Sequence, residues 1–119
     1  KQINDMLGHI TGDKILIEAA TLIKKTMRGS DLLFRFGGDE FLVILLNTNC
    51  DNSIHMVQRL LAAVDEWNNE NAKAYGCELS FSMGCSTYEK GCDIVEVLKD
   101  ADARMYQNKM EKRNRAIKD

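Results

Sequence analysis

The stretch Leu32-Leu33-Phe34-Arg35-Phe36-Gly37-Gly38-Asp39-Glu40-Phe41-Leu42-Val43-Ile44-Leu45-Leu46 decides the fold, because two apolar runs flank a glycine pair and two adjacent carboxylates. Short runs of this composition read as strands, and a Gly-Gly pair between them reads as a hairpin turn. Glycine reaches positive φ without strain and lets a ligand approach the backbone closely. The turn is therefore expected to carry Asp39 and Glu40 at an exposed tip. Neighbouring carboxylates repel each other, and a divalent cation that neutralises both removes that cost, as in magnesium-assisted phosphoryl chemistry. Taken alone, the same four residues also read as a solvated hairpin with charged turn residues.

Working outward, apolar spacing predicts three helices. Ile15, Leu16, Ala19, Leu22, Ile23 and Met27 form one stripe; Ile54, Val57, Leu60, Leu61, Val64 and Trp67 a second; Ile94, Val97, Leu98, Ala101 and Met105 a third. Asp93 with Glu96 three positions on resembles a capping box opening the third helix. A third strand is expected from about Cys77 to Thr87, where Leu79, Phe81 and Met83 alternate with polar or small residues. The order helix, strand, strand, helix, strand, helix predicts an α+β fold with helices on an antiparallel sheet. No repeat, low-complexity tract or proline interrupts it.

Composition agrees with one domain and a single core: 119 residues, 45% hydrophobic and 29% charged. A net charge of −2 argues against a nucleic-acid surface, so an anionic ligand has to be held by local clusters of cations. No apolar run is long enough for a membrane span and no signal-peptide pattern opens the chain, so no direct membrane contact is expected. Cys50, Cys77, Cys85 and Cys92 lack C-x-x-C spacing and are expected to be free thiols, which suits a reducing cytosol.

Four segments together resemble the GGDEF family, the diguanylate cyclases. They are Asn4-Asp5-Met6-Leu7-Gly8-His9-Ile10-Thr11-Gly12-Asp13, the Gly37–Phe41 turn, Ser82-Met83-Gly84-Cys85-Ser86, and Ala101–Lys109 followed by Arg113-Asn114, in order and at matching spacing. The resemblance implies a ferredoxin-like, palm-type nucleotide cyclase fold. It implies condensation of two GTP molecules into cyclic di-GMP with loss of pyrophosphate, in a homodimer. The family has a central strand before the position of Lys1 that ends in a metal-binding aspartate. Residues 1–119 are therefore expected to be an N-terminally truncated domain that is weakly active or inactive alone. The parent protein is expected to be cytoplasmic, or cytoplasmic in this part of a membrane-anchored chain, and to carry a regulatory domain.

Site residues follow position by position from the same resemblance. Asp39 and Glu40 match the catalytic acids that bind magnesium or manganese, and Glu40 can alternatively help deprotonate the attacking hydroxyl. Gly37 and Gly38 bring the backbone to the substrate. Asp13 matches the carboxylate that accepts the guanine N1 and N2 protons, and Asn4 the amide that completes base recognition. On residue type alone, Asp13 reads as a helix cap and Asn4 as a turn residue. Lys1, Lys109 and Arg113 match phosphate contacts, although such cations are ordinarily solvated. Lys112 stands where the family usually has glycine. Arg28, Asp31 and Arg59 match the site at which product inhibits, the alternative being a helix end and a turn. The competing function is a non-catalytic receptor for cyclic di-GMP or GTP.

Overall fold

The computed structural model describes residues 9–118. Helix α1 (His9–Thr26) precedes strands β1 (Leu32–Arg35) and β2 (Phe41–Ile44), followed by α2 (Ile54–Tyr75) and α3 (Ile94–Lys118). The architecture is α+β, and contacts divide the described chain into two units. One holds residues up to 47 together with 53–80; the other holds 48–52 and the residues from 81 onward.

In the first unit α1 packs on α2 through the stripes the spacing predicts. Ile15, Ala19, Leu22 and Ile23 of α1, Leu60, Val64 and Trp67 of α2, and Leu79 beyond it are buried. Ile54 and Leu61 are exceptions, being 47% and 44% exposed, so the buried face of α2 is narrower than its apolar stripe. Burying an indole requires an acceptor for its N–H. Glu18 supplies it: Trp67 Nε1 donates to Glu18 Oε2 at 3.3 Å and the Tyr75 hydroxyl to Oε1 at 3.4 Å. The two rings stand 5.2 Å apart. Helix α2 stops at Gly76, whose φ of 77° places it in the left-handed region and whose N–H donates to the Ala72 carbonyl. Glycine adopts that conformation without a Cβ clash.

The expected hairpin forms, with Leu32 opposite Ile44, Leu33 opposite Val43, Phe34 opposite Leu42 and Arg35 opposite Phe41. Leu32, Phe34 and Ile44 share one face, by strand alternation, and that face is exposed.

The third strand expected at Cys77 to Thr87 does not form. Residues 77–87 alternate in side-chain character, but among the described residues no strand pairs with them, and a ladder requires a neighbour. Side-chain amides take the backbone bonds instead. In the first unit Asn68 acts on Leu79 like a strand partner, donating from Nδ2 to its carbonyl at 3.0 Å and accepting its N–H at 2.7 Å.

In the second unit the 81–87 segment is held on α3. Met83 N–H donates to Asn108 Oδ1 at 2.9 Å, and Lys112 Nζ donates to the Phe81 carbonyl. A Cβ on Gly84 would lie 2.1 Å from the Ala101 carbonyl oxygen and 2.3 Å from the Met105 nitrogen, so only glycine allows this approach. Asp93 caps α3 through Oδ1, which accepts the Val95 N–H at 3.0 Å. Glu96 turns to Lys99 at 3.8 Å, so this end of the helix carries a simple cap rather than a reciprocal box. Val97, Leu98, Ala101 and Met105 are half-buried and Ile94 is exposed. The expectation of four free thiols is corrected: Cys50 and Cys85 form a disulfide with Cα atoms 6.0 Å apart, leaving Cys77 and Cys92 as thiols. Sequence spacing carries no information on that pairing, which depends on residues 35 positions apart. Among the described residues no helix is long and apolar enough to cross a membrane.

Candidate functional site

The tip of the hairpin is organised by its backbone. Phe36 N–H donates to the Glu40 carbonyl at 2.8 Å, closing the loop over Gly37, Gly38 and Asp39. Arg35 reaches forward from the end of β1, donating from Nε to the Gly37 carbonyl at 3.2 Å and from Nη2 to that of Gly38. Neither glycine adopts positive φ, contrary to the expectation for this pair. A loop closed by the Phe36–Glu40 bond and bridged by a guanidinium reverses the chain without a left-handed residue. The glycines contribute space: a Cβ on Gly38 would meet nothing within 4 Å, and one on Gly37 would only touch Glu40. Arg35 is the residue that sequence reading missed, and its place directly before Phe36-Gly37-Gly38 is the signal that could have found it.

Asp39 and Glu40 are both exposed at this tip. Among the described residues no group of three or more histidine, cysteine, aspartate or glutamate side chains is placed to hold a metal. Two adjacent hard oxygen donors nevertheless fit magnesium, which is commonly bound by one or two carboxylates and completed by water and substrate phosphate.

The remaining candidates fall in several places. Asn4 and Lys1 lie outside the described residues. Asp13 is exposed within α1, beyond its first turn, so it does not cap that helix. Lys109 and Arg113 are exposed on α3, one turn apart, in the second unit rather than in the unit that holds the hairpin. Helix α3 continues through Lys112 without a break. Burial, with the nearby Arg115 charge as the lesser cause, holds the Lys112 ammonium below its ordinary value.

Arg28 and Asp31 form a closed corner between α1 and β1. Asp31 Oδ2 accepts the Arg28 backbone N–H at 2.9 Å and its Nε at 3.3 Å, and Oδ1 accepts Nη2 at 3.2 Å. Arg28 Nη2 also donates to the Leu46 carbonyl at 2.9 Å. The Asp31 side chain is 2% exposed and that of Arg28 54%. Hydrogen bonds from Arg28 hold the Asp31 carboxyl below its ordinary value, outweighing burial, which acts in the opposite direction. Arg59 donates from Nη2 to the Thr26 carbonyl at 3.0 Å, placing a cation at the C-terminal end of α1, where the helix dipole favours it.

Comparison with known proteins identifies the family. The family model described as diguanylate cyclase, GGDEF domain, matches residues 1–115. Diguanylate cyclase DosC of Escherichia coli K12 is 32% identical over 115 residues, covering 97% of this chain and 25% of DosC. Diguanylate cyclase A of Treponema denticola is 33% identical over 116 residues, covering 97% of this chain and 31% of that protein. A structure of Pseudomonas aeruginosa TpbB (YfiN) comprising only the GGDEF domain superposes with a TM-score of 0.71 at 31% identity, covering 92% of this chain and 64% of the other. Diguanylate cyclase SiaD of P. aeruginosa, solved with its activator SiaC, shares the fold at a TM-score of 0.69 and 22% identity, covering 92% and 42%. The chain belongs to the GGDEF domain family, and it spans a quarter to a third of the curated relatives it matches.

Proposed function

We propose that residues 1–119 serve as the diguanylate cyclase domain of their protein, joining two GTP molecules into cyclic di-GMP with release of pyrophosphate. The observation that carries this reading is the pair of exposed carboxylates, Asp39 and Glu40, on a turn braced by Arg35. In the reaction a ribose 3′-hydroxyl attacks the α-phosphate of the second nucleotide, so catalysis consists of positioning and charge stabilisation. Asp39 and Glu40 would hold magnesium or manganese, which supplies Lewis-acid stabilisation of phosphate charge. Glu40 can also accept the proton of the attacking hydroxyl. Gly37 and Gly38, lacking Cβ atoms, let the substrate phosphates approach the turn. Asp13 accepts the guanine N1 and N2 protons, Asn4 completes recognition of the base, and Lys1, Lys109 and Arg113 balance triphosphate charge.

Each subunit holds one GTP, so two copies face each other in catalysis, in the cytoplasm and under the control of a regulatory domain. Product inhibits by binding the half-exposed guanidinium of Arg28. In this reading Asp31 orients Arg28 rather than touching ligand, because its carboxylate is buried and already accepts three bonds from that arginine. Arg59 contributes from α2.

The test is turnover in the protein that carries these residues, dimeric and supplied with GTP and magnesium, with product resolved by chromatography. Cyclic di-GMP is expected from the wild type and is expected to be lost with Glu40→Gln, which keeps the shape of the side chain and removes its charge. GTP or cyclic di-GMP binding without turnover in the wild type would replace the cyclase reading with a receptor.

A further inference from the structure

Cys50 lies in the loop that follows β2, and Cys85 lies in the segment seated on α3. Their Cα atoms stand 6.0 Å apart, inside the range a disulfide requires. Both are held by contacts that do not depend on the sulfur–sulfur bond. The Cys50 N–H donates to Thr87 Oγ1 at 3.0 Å, and the Thr87 hydroxyl donates to Cys50 Sγ at 3.3 Å. On the other side, Arg104 Nη1 donates to the Cys85 carbonyl at 2.9 Å. Arg104 is itself paired with Asp100 at 3.2 Å, and Asp100 accepts the Ser86 hydroxyl at 3.0 Å. Gly84, pressed on the α3 backbone, fixes the neighbouring residue of the segment. Exposure differs between the two cysteines: Cys85 is exposed and Cys50 half-buried. An incoming thiol or disulfide therefore meets Cys85 first, and Cys50 waits beside it as the resolving group.

We propose that Cys50 and Cys85 are a reversible thiol–disulfide pair that exchanges with low-molecular-weight disulfides such as oxidised glutathione, and that its closure pins the Thr48–Asn52 loop to the 81–87 segment. In closing, the Cys85 thiolate attacks one sulfur of oxidised glutathione, whose disulfide breaks and releases a first glutathione thiolate. The Cys50 thiolate then attacks Cys85 Sγ in the mixed disulfide and releases the second. Two protein protons pass through solvent to the two glutathione thiolates, so the protein loses two electrons and the glutathione disulfide gains them. Reduced glutathione drives the reverse exchange. A hydroxyl donating to Cys50 Sγ stabilises the thiolate that this chemistry needs in both directions. The bond closes a sequence separation of 35 residues that includes the whole of α2, so it restricts the unfolded chain more than a short bridge would.

The experiment equilibrates the protein in glutathione buffers from fully reduced to fully oxidised, quenches it in acid, alkylates remaining thiols and maps the labelled peptides by mass. Under oxidising buffer, Cys50 and Cys85 are expected to lose label together and to be recovered in one linked peptide, while exposed Cys92 continues to label or forms only a glutathione adduct. The thermal midpoint is expected to be higher in the oxidised form by roughly 5 °C or more. Cys50→Ser and Cys85→Ser are each expected to abolish that redox dependence. Labelling of both cysteines at every buffer ratio overturns the proposal, and so does a Cys85–glutathione adduct that never resolves. A midpoint that responds to redox equally in the wild type and both variants also overturns it. Peptide mapping of the wild type decides the pairing even where a variant fails to fold.

Discussion

The hairpin tip at Gly37–Glu40 and the corner at Arg28–Asp31 each place an arginine within a few residues of a carboxylate, and the two arginines do different things. Arg35 bonds the glycine carbonyls of the turn, while Asp39 and Glu40 remain exposed. Arg28 bonds the acid itself, and Asp31 is buried beneath it. A guanidinium spent on backbone shapes a loop and leaves acidic charge facing solvent, where a cation and phosphates can use it. A guanidinium spent on a buried carboxylate compensates the desolvation of that acid and locks a chain reversal. Arg28-x-x-Asp31 and Asp39-Glu40 are both short charged motifs in the sequence, yet they face opposite energetic constraints in the fold.

The largest expected effect that sharpens this contrast is on activity. In the protein that carries these residues Asp39→Asn should lower turnover on the order of 10²–10³-fold, in line with loss of a group that stabilises transition-state charge, while changing stability by no more than about 0.5 kcal/mol. Turnover and melting would be measured on the same preparation. A melting loss as large as the activity loss would erase the distinction between tip and corner.

Next in size is Asp31→Ala, expected to destabilise by about 2–4 kcal/mol in urea, because it strips the partner from a fixed guanidinium and backbone N–H. This change also carries a pH signature. Asp31 is held below its ordinary value of 3.8, so its ionisation contributes stability that is complete above pH 3.8 and is lost as pH falls through the depressed folded value. The wild type should lose stability over that acid window more steeply than the variant, and parallel curves would show that Arg28 does not hold the acid in solution.

The smallest effect belongs to Arg35→Ala. Both of its bonds are exposed, so a stability loss of about 1 kcal/mol or less is expected, with faster amide exchange at Gly38 and Asp39. Unchanged exchange there would mean that the turn keeps its shape without the guanidinium.

Local features were legible because their physics is local. Helical spacing in Ile15, Ala19, Leu22 and Ile23 marked the buried face of α1, and two apolar runs about a glycine pair marked the hairpin. The third strand was misread because alternation in Leu79, Phe81 and Met83 describes which side chains face inward and says nothing of a neighbour to bond. Asn68 and Asn108 carry those backbone bonds from helices, and no periodicity announces an amide in that role. The glycine pair was likewise read as a source of positive φ, whereas the turn uses its lack of side chains.

Sequence by itself determined that this is a GGDEF domain with an acidic turn between two strands, because motif order, spacing and apolar period are properties of neighbours along the chain. Tertiary structure decided that Asp31 is buried under Arg28, that Arg59 serves the end of α1, and that Cys50 meets Cys85. Those outcomes depend on which groups folding brings together from distant positions, and on how far water is excluded from them.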